Sequence, residues 1–167
     1  YFHDHFGSTL ISNILNRVEY MIRVLGCKFI VLDHLSIVVS GQDNPDERKA
    51  IDELMTKLRT IVQSTGATLL LVSHLSKNGK KVWTKGAEVS GHDLRGSASI
   101  EQLSDTIIAI ERNLQAKDDL SRNTTRLRVL KNRRFGLTGL AGLLYYTPST
   151  GRMTPGGVWE EVEDAEY

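Results

Sequence analysis

The sequence predicts an α/β fold, a parallel sheet flanked by helices and finished by a C-terminal β-hairpin. Three observations lead there. Residues 29–33 (FIVLD) and 69–74 (LLLVSH) are short apolar runs of the kind that form central strands covered by helices on both faces. Between them lies a capped amphipathic segment long enough to be the crossover helix that parallel strands require. Residues 125–131 and 142–147, separated by a glycine-containing turn, then read as the hairpin at the end of the sheet.

Each element has its own justification. Residues 8–25 place Leu10, Ile11, Ile14, Leu15, Val18, Met21, Ile22 and Leu25 at helical spacing, and Gly26 is positioned to end the helix. The first strand follows at once, then a polar turn over residues 40–44. Asn44 is placed as an N-cap, with Pro45 at the first helical position and Glu47 closing a capping box. The helix so started carries Ile51, Leu54, Met55, Leu58, Ile61 and Val62 on one face and stops near Gly66. After the second strand, residues 75–92 are lysine- and glycine-rich and predict a long exposed loop. Residues 93–99 lead into a short helix ending near Leu103, residues 105–111 form a third strand, and residues 112–123 a polar loop. Residues 125–131 form a fourth strand, residues 132–139 a turn, and residues 147–151 another turn after the hairpin. This assigns residues 1–155 to one domain and residues 156–167 to an acidic, disordered tail.

Composition excludes several classes. Apolar residues make up 40% and charged residues 25% of the chain, ordinary for a globular domain able to bury a core. No signal peptide or membrane-spanning run is present. The single cysteine, Cys27, rules out a disulfide within the chain, no Cys/His spacing suggests zinc, and a reducing compartment is expected. Net charge is only +1, but its distribution is uneven. Residues 77–85 hold four lysines and no acid, residues 122–134 five arginines and a lysine without an acid, and the last eight residues five acids without a base. Such blocks are common in nucleic-acid proteins. The chain begins Tyr1-Phe-His-Asp rather than with Met, as a piece of a longer protein would.

The chemistry is concentrated at strand ends. Ligands bind beyond the carboxyl ends of parallel strands, which is where Asp33 and His74 fall. An aspartate closing an apolar strand is the Walker B pattern, whose carboxylate holds the Mg²⁺ of a nucleoside triphosphate. Two core strands with polar ends would look the same from either strand alone. Lys131 and Arg133 are two apart, so an extended chain puts them on one side, where they could clamp a phosphate or simply protect a solvated edge strand. Residues 93–98 (DLRGSA) set a carboxylate, a guanidinium and a glycine turn before a helix, consistent with a phosphate site or with a capped helix holding a local Asp93–Arg95 pair.

The order of these features is more specific than any one of them. LDHLSIVV (32–39), DERK (46–49), DLRGS (93–97) and QLSDTIIA (102–109), followed by ERN (111–113) and K-x-R (131–133), resemble the helicase domain of hexameric replicative helicases. The likeness is nearest to the phage helicase–primases, with Twinkle and DnaB more distant, and runs over residues 26–155. It implies a RecA-like P-loop NTPase fold and an enzyme that couples NTP hydrolysis to movement along single-stranded DNA and unwinding of duplex. It also implies a homo-oligomeric, hexameric ring, Mg²⁺ with ATP or dTTP as cofactors, and the cytoplasm, that of a host cell if phage-encoded. Carried over residue by residue, Asp33 becomes the Mg²⁺ ligand, His74 the sensor of the γ-phosphate, Arg133 the arginine finger and Lys131 a supporting cation. Arg112 and Tyr146 become a pair that sandwiches the nucleotide base. The channel loops fall on residues 35–48 and 74–89, with Lys77, Lys80 and Lys81 as DNA contacts and Arg95 and Gly96 supporting the second loop. Trp83 is either a stacking platform or a packing anchor, His34 is structural, and the acidic tail would dock a DNA polymerase.

No G-x-x-x-x-G-K-[ST] loop occurs in the chain, so the Walker A part is lacking and these residues alone are expected not to hydrolyse nucleotides. Two other readings stand beside the helicase: a RecA- or KaiC-like ATPase, and a non-catalytic DNA-binding or oligomerisation module with a degenerate NTPase fold.

Overall fold

A computed structural model describes residues 1–3, 10–35, 45–76, 81–94 and 98–156, without the side chains of residues 45–47. The chain divides into two compact units, one of Tyr1–Lys77 with His92–Ser104 and one of Asn78–Gly91 with Asp105–Tyr167, where length alone predicts a single domain.

The first unit is built from α1 (Ile11–Arg23), β1 (Phe29–Leu32), α2 (Pro45–Thr65), β2 (Thr68–Leu71) and α3 (Ala98–Leu103). Both long helices end as their sequences predict. Gly26 and Gly66 take positive φ (69° and 68°), the left-handed conformation that closes a helix at little cost only for glycine. After α1 the Cys27 N–H returns to the Met21 carbonyl at 2.9 Å, satisfying a carbonyl that the helix leaves open. β1 and β2 pair in parallel, from Phe29 against Thr68 to Leu32 against Leu71. The core gathers Leu15 and Val18 from α1, Ile30 from β1, Ile51, Leu54 and Leu58 from α2 and Ile100 from α3.

One expectation fails here. The sequence predicts helices on both faces of the parallel sheet, yet among the described residues they cover one. Ile30, Leu32, Leu69 and Leu71 turn toward the core, while the alternating Phe29, Val31, Leu70 and Val72 are exposed.

The second unit contains an antiparallel sheet in the order β3-β4-β5-β6. Its strands are β3 (Thr106–Arg112), β4 (Thr124–Asn132), β5 (Gly139–Thr147) and β6 (Arg152–Gly156). The predicted hairpin is β4–β5, but it belongs to a sheet of its own rather than finishing the parallel one. Two elements lie where none is predicted. α4 (Asp119–Asn123) interrupts the polar loop, and its N-cap Asp118 accepts a hydrogen bond from the Ser121 N–H at 2.7 Å. β6 follows the turn of residues 147–151 and overlaps the expected tail at Gly156 alone, and Pro155 is tolerated because this is an edge strand. Gly156 lies beneath the Tyr145 ring, so a Cβ there would be 2.5 Å from the nearest ring carbon. Residues 157–167, the rest of the acidic tail, lie outside the described residues.

The long loop also differs from expectation. Leu75 bridges to Leu94 within the first unit, Lys85 bridges to Asn113 within the second, and Val89 is buried.

Candidate functional site

In the first unit the ladder between β1 and β2 continues past both strands. The Val72 N–H donates to the Leu32 carbonyl at 3.0 Å, and the Leu35 N–H to the Val72 carbonyl at 2.9 Å. These bonds hold the carboxyl ends of the two strands together. They leave Asp33 exposed beyond β1 and His74 exposed beyond β2. The Asp33–His34 peptide is cis.

His34 meets His74 across the two strand ends. Its ring lies 4.1 Å from that of His74, centroid to centroid, at an angle of 37°. Its Nδ1 is buried without a hydrogen-bond partner among the described residues. Sequence reading passes over His34 because the contact forms across two strands forty residues apart; its place directly after Asp33 is the one available signal.

No group of three or more His, Cys, Asp or Glu side chains that could cage a metal occurs among the described residues. A lone exposed carboxylate nevertheless fits Mg²⁺, which keeps several waters and takes one or two carboxylates with substrate phosphates rather than an all-protein cage.

In the second unit β3 and β5 bring Arg112 and Tyr146 together on one face of the antiparallel sheet. The guanidinium lies over the phenol ring at 5.0 Å. Arg112 is further fixed by α4, its Nε donating to the Arg122 carbonyl at 2.7 Å and a terminal nitrogen to Asn123 Oδ1 at 2.8 Å. The expected sandwich is therefore closed in this conformation. A base between the two side chains needs about twice a 3.5–4.0 Å contact distance, so the pair must part before it can hold one.

Lys131 lies on β4 opposite Ile107, and the strand ends at Asn132. Arg133 already belongs to the turn, so the period-two argument that set it beside Lys131 stops one residue short. The Arg133 N–H donates to the Asp105 carbonyl at 2.8 Å, and its guanidinium meets the Asp105 carboxylate at 3.2 Å. Both side chains are about half exposed, which makes this an ion pair that exchanges easily with solvent or another anion.

The arginine run of residues 122–134 is largely committed to partners. Arg122 pairs with Asp119, Arg126 and Arg128 with Glu111, and Arg133 with Asp105, while Arg134 lies over Phe135 at 5.1 Å. A linear charge count reads this segment as a nucleic-acid face because the neutralising acids stand outside the counted window. Antiparallel pairing brings Glu111 opposite Arg126.

Of the expected DNA contacts, Lys77, Lys80, Arg95 and Gly96 lie outside the described residues. Lys81 donates to the Glu88 carbonyl at 3.2 Å and stands over Trp83 at 5.6 Å. Among the described residues no helix is long and apolar enough to cross a membrane.

One unit has parallel strands followed by Asp33 and His74, and the other an antiparallel sheet carrying a stacked Arg–Tyr pair; the fold is that of RecA-like helicase ATPase domains. Within that class the chain belongs to the DnaB-like helicase C-terminal domain family, whose model matches residues 1–152. It is 47% identical over 154 residues to the DNA helicase/primase of Enterobacteria phage T3, covering 92% of this chain and 27% of that protein. A DnaB-like replicative helicase, solved in a study of its interactions with primase, shares the fold at a TM-score of 0.70 and 20% identity, over 91% of this chain and 36% of that one. A KaiC-like protein of Pyrococcus horikoshii shares it at 0.59 and 16% identity, over 88% and 54%. The chain thus spans about a quarter of the length of its phage relative.

Proposed function

We propose that the complete protein is a ring-forming, NTP-driven replicative DNA helicase and that these residues are the C-terminal part of its motor. The observation that carries this reading is the joined end of β1 and β2. It sets a carboxylate suited to Mg²⁺ beside a pair of imidazoles in tilted contact, where a parallel sheet binds its ligand.

In this reading Asp33 would hold the Mg²⁺ that neutralises phosphate charge, and His74, with His34 against it, would sense the γ-phosphate of ATP or dTTP. Arg133 leaves Asp105 to reach a neighbouring subunit's nucleotide, with Lys131 behind it, and stabilises charge on the transferring phosphoryl group. Arg112 and Tyr146 part to take up the base. Lys77, Lys80 and Lys81, with Arg95 and Gly96, track the phosphates of single-stranded DNA without reading sequence. The ring is a hexamer, and the acidic tail of residues 156–167 contacts a DNA polymerase. The exposed apolar face of β1 and β2 supports a further expectation: the phosphate loop belongs to other chain of the same protein, packed on Phe29, Val31, Leu70 and Val72.

The test is Arg133→Ala in the complete protein. DNA-stimulated hydrolysis is expected to fall by about three orders of magnitude or more, with nucleotide affinity kept. Full turnover in a folded variant would take the finger role from Arg133, and absence of duplex unwinding by the unmodified protein on a forked substrate would leave a KaiC-like ATPase or a non-catalytic module as the better reading.

A further inference from the structure

Residues 81–91 carry on from the basic stretch 77–85 and are mostly half-buried. Of them only Val89 is buried, so their position depends on specific bonds. Several of those bonds meet at the carboxylate of Glu111, whose side chain has no exposed surface. Oε1 accepts the Val89 N–H at 2.9 Å and the Arg128 Nε at 3.0 Å, and Oε2 faces the Arg126 Nε at 3.2 Å. Each arginine then takes a second hold on the same segment. Arg128 reaches the Glu88 carboxylate at 3.2 Å, and Arg126 donates to the Gly86 carbonyl at 2.6 Å. Lys85 pairs with Asn113, and Gly86 lies so close to Asn113 that a Cβ would be 3.0 Å from that residue's own Cβ. Lys81 is tied in through the Glu88 carbonyl.

Glu111 directly precedes Arg112 on β3. Successive side chains of a strand face opposite ways, so Glu111 holds residues 81–91 on one face while the next residue stacks on Tyr146 on the other. A buried ion cluster adds little net stability over apolar packing. What this one adds is direction, because two planar guanidinium forks and a backbone N–H fix three residues of the segment at once.

We propose that Glu111 is a positioning residue that couples residues 81–91 to the nucleotide-stacking pair Arg112–Tyr146 through β3. The coupling rests on the helicase reading above. It makes DNA at Lys81 and Lys85 and nucleotide at Arg112 bias the same strand.

The experiment uses the complete protein and oligothymidylate as the DNA. Hydrogen exchange at residues 81–91 is measured together with nucleotide hydrolysis, with and without that DNA. Glu111→Gln keeps the shape and the acceptor for Val89 but removes the charge that holds both arginines; Glu88→Gln weakens only an exposed outer tie. In Glu111→Gln the Val89 amide is expected to exchange about tenfold faster and stimulation by oligothymidylate to fall about tenfold, with hydrolysis in the absence of DNA unchanged. Glu88→Gln is expected to move both readouts the same way by less, and it decides the matter if Glu111→Gln does not fold. Intact stimulation, or basal and stimulated rates falling in proportion, overturns the coupling. Unmodified protein whose hydrolysis ignores DNA overturns the helicase reading itself and the coupling with it.

Discussion

The two units solve the problem of holding a sheet in opposite ways. In the first, eleven buried apolar residues among those described, Leu35, Ile51, Leu54 and Leu58 included, pack helices against one face of the parallel strands. In the second, the described residues include few buried positions, and one of them is a carboxylate between two arginines. Apolar packing is indifferent to direction, so the first unit can present its chemistry only at the fixed ends of β1 and β2. A charge cluster is directional, so the second unit can hold a mostly half-buried segment in a defined place on the face of a sheet. The lesson is that the hydrophobic unit carries position by topology and the polar unit carries it by bonds.

Substitutions in the two cores sharpen that contrast. Leu54→Ala, at a position with no exposure, should cost about 2–5 kcal/mol, with hydrogen-exchange protection lost in α1, α2 and β1. Glu111→Ala removes the shared partner of two partly exposed guanidinium groups that keep Glu88 and the Gly86 carbonyl, and is expected to cost about 1–3 kcal/mol. The loss should be read as protection lost in β3–β5. Protection falling equally across both units in either variant would break the comparison. Asp105→Asn, on the half-exposed partner of Arg133, is expected to cost less than about 1 kcal/mol in thermal unfolding. A large destabilisation would mean that this pair is structural rather than exchangeable.

The smallest effect concerns α4. Hydrogen bonds from Ser121 hold the Asp118 carboxyl below its ordinary value of 3.8. A group with a depressed native pKa stabilises the fold above its unfolded value, and that stability is lost as the pH falls through the native one. The Ser121 amide resonance should therefore shift with a midpoint below 3.8, and a midpoint at or above it would remove the cap from the account.

The sequence was most legible where local pattern and tertiary role coincide. The apolar periodicity of α1 and α2, the glycines that end them and the runs that became β1 and β2 were all readable, because burial alternates at the period of each element. The order of motifs led to the helicase family. What escaped depends on partners far along the chain. Val89 looked like part of an exposed loop because its acceptor, Glu111, lies twenty-two residues on. The arginines of β4 read as part of a basic block because a linear window omits the strand beside them. α4 had a readable signal in Asp118 and Ser121, which the surrounding polarity hid. β6 was hidden by Pro155, which argues against a strand except at an edge. In the candidate site, neither the tilted contact of His34 with His74 nor the closed Arg112–Tyr146 pair could be read from spacing.

The contact between Gly156 and the Tyr145 ring has an evolutionary consequence. An aromatic ring folded over a strand leaves no space for a side chain beneath it, so the two positions cannot drift independently. Among homologues that keep β6, an aromatic at position 145 should travel with glycine at position 156, and a side chain at 156 should appear only where 145 has become small. That pairwise signature would trace how long this edge strand has been part of the fold.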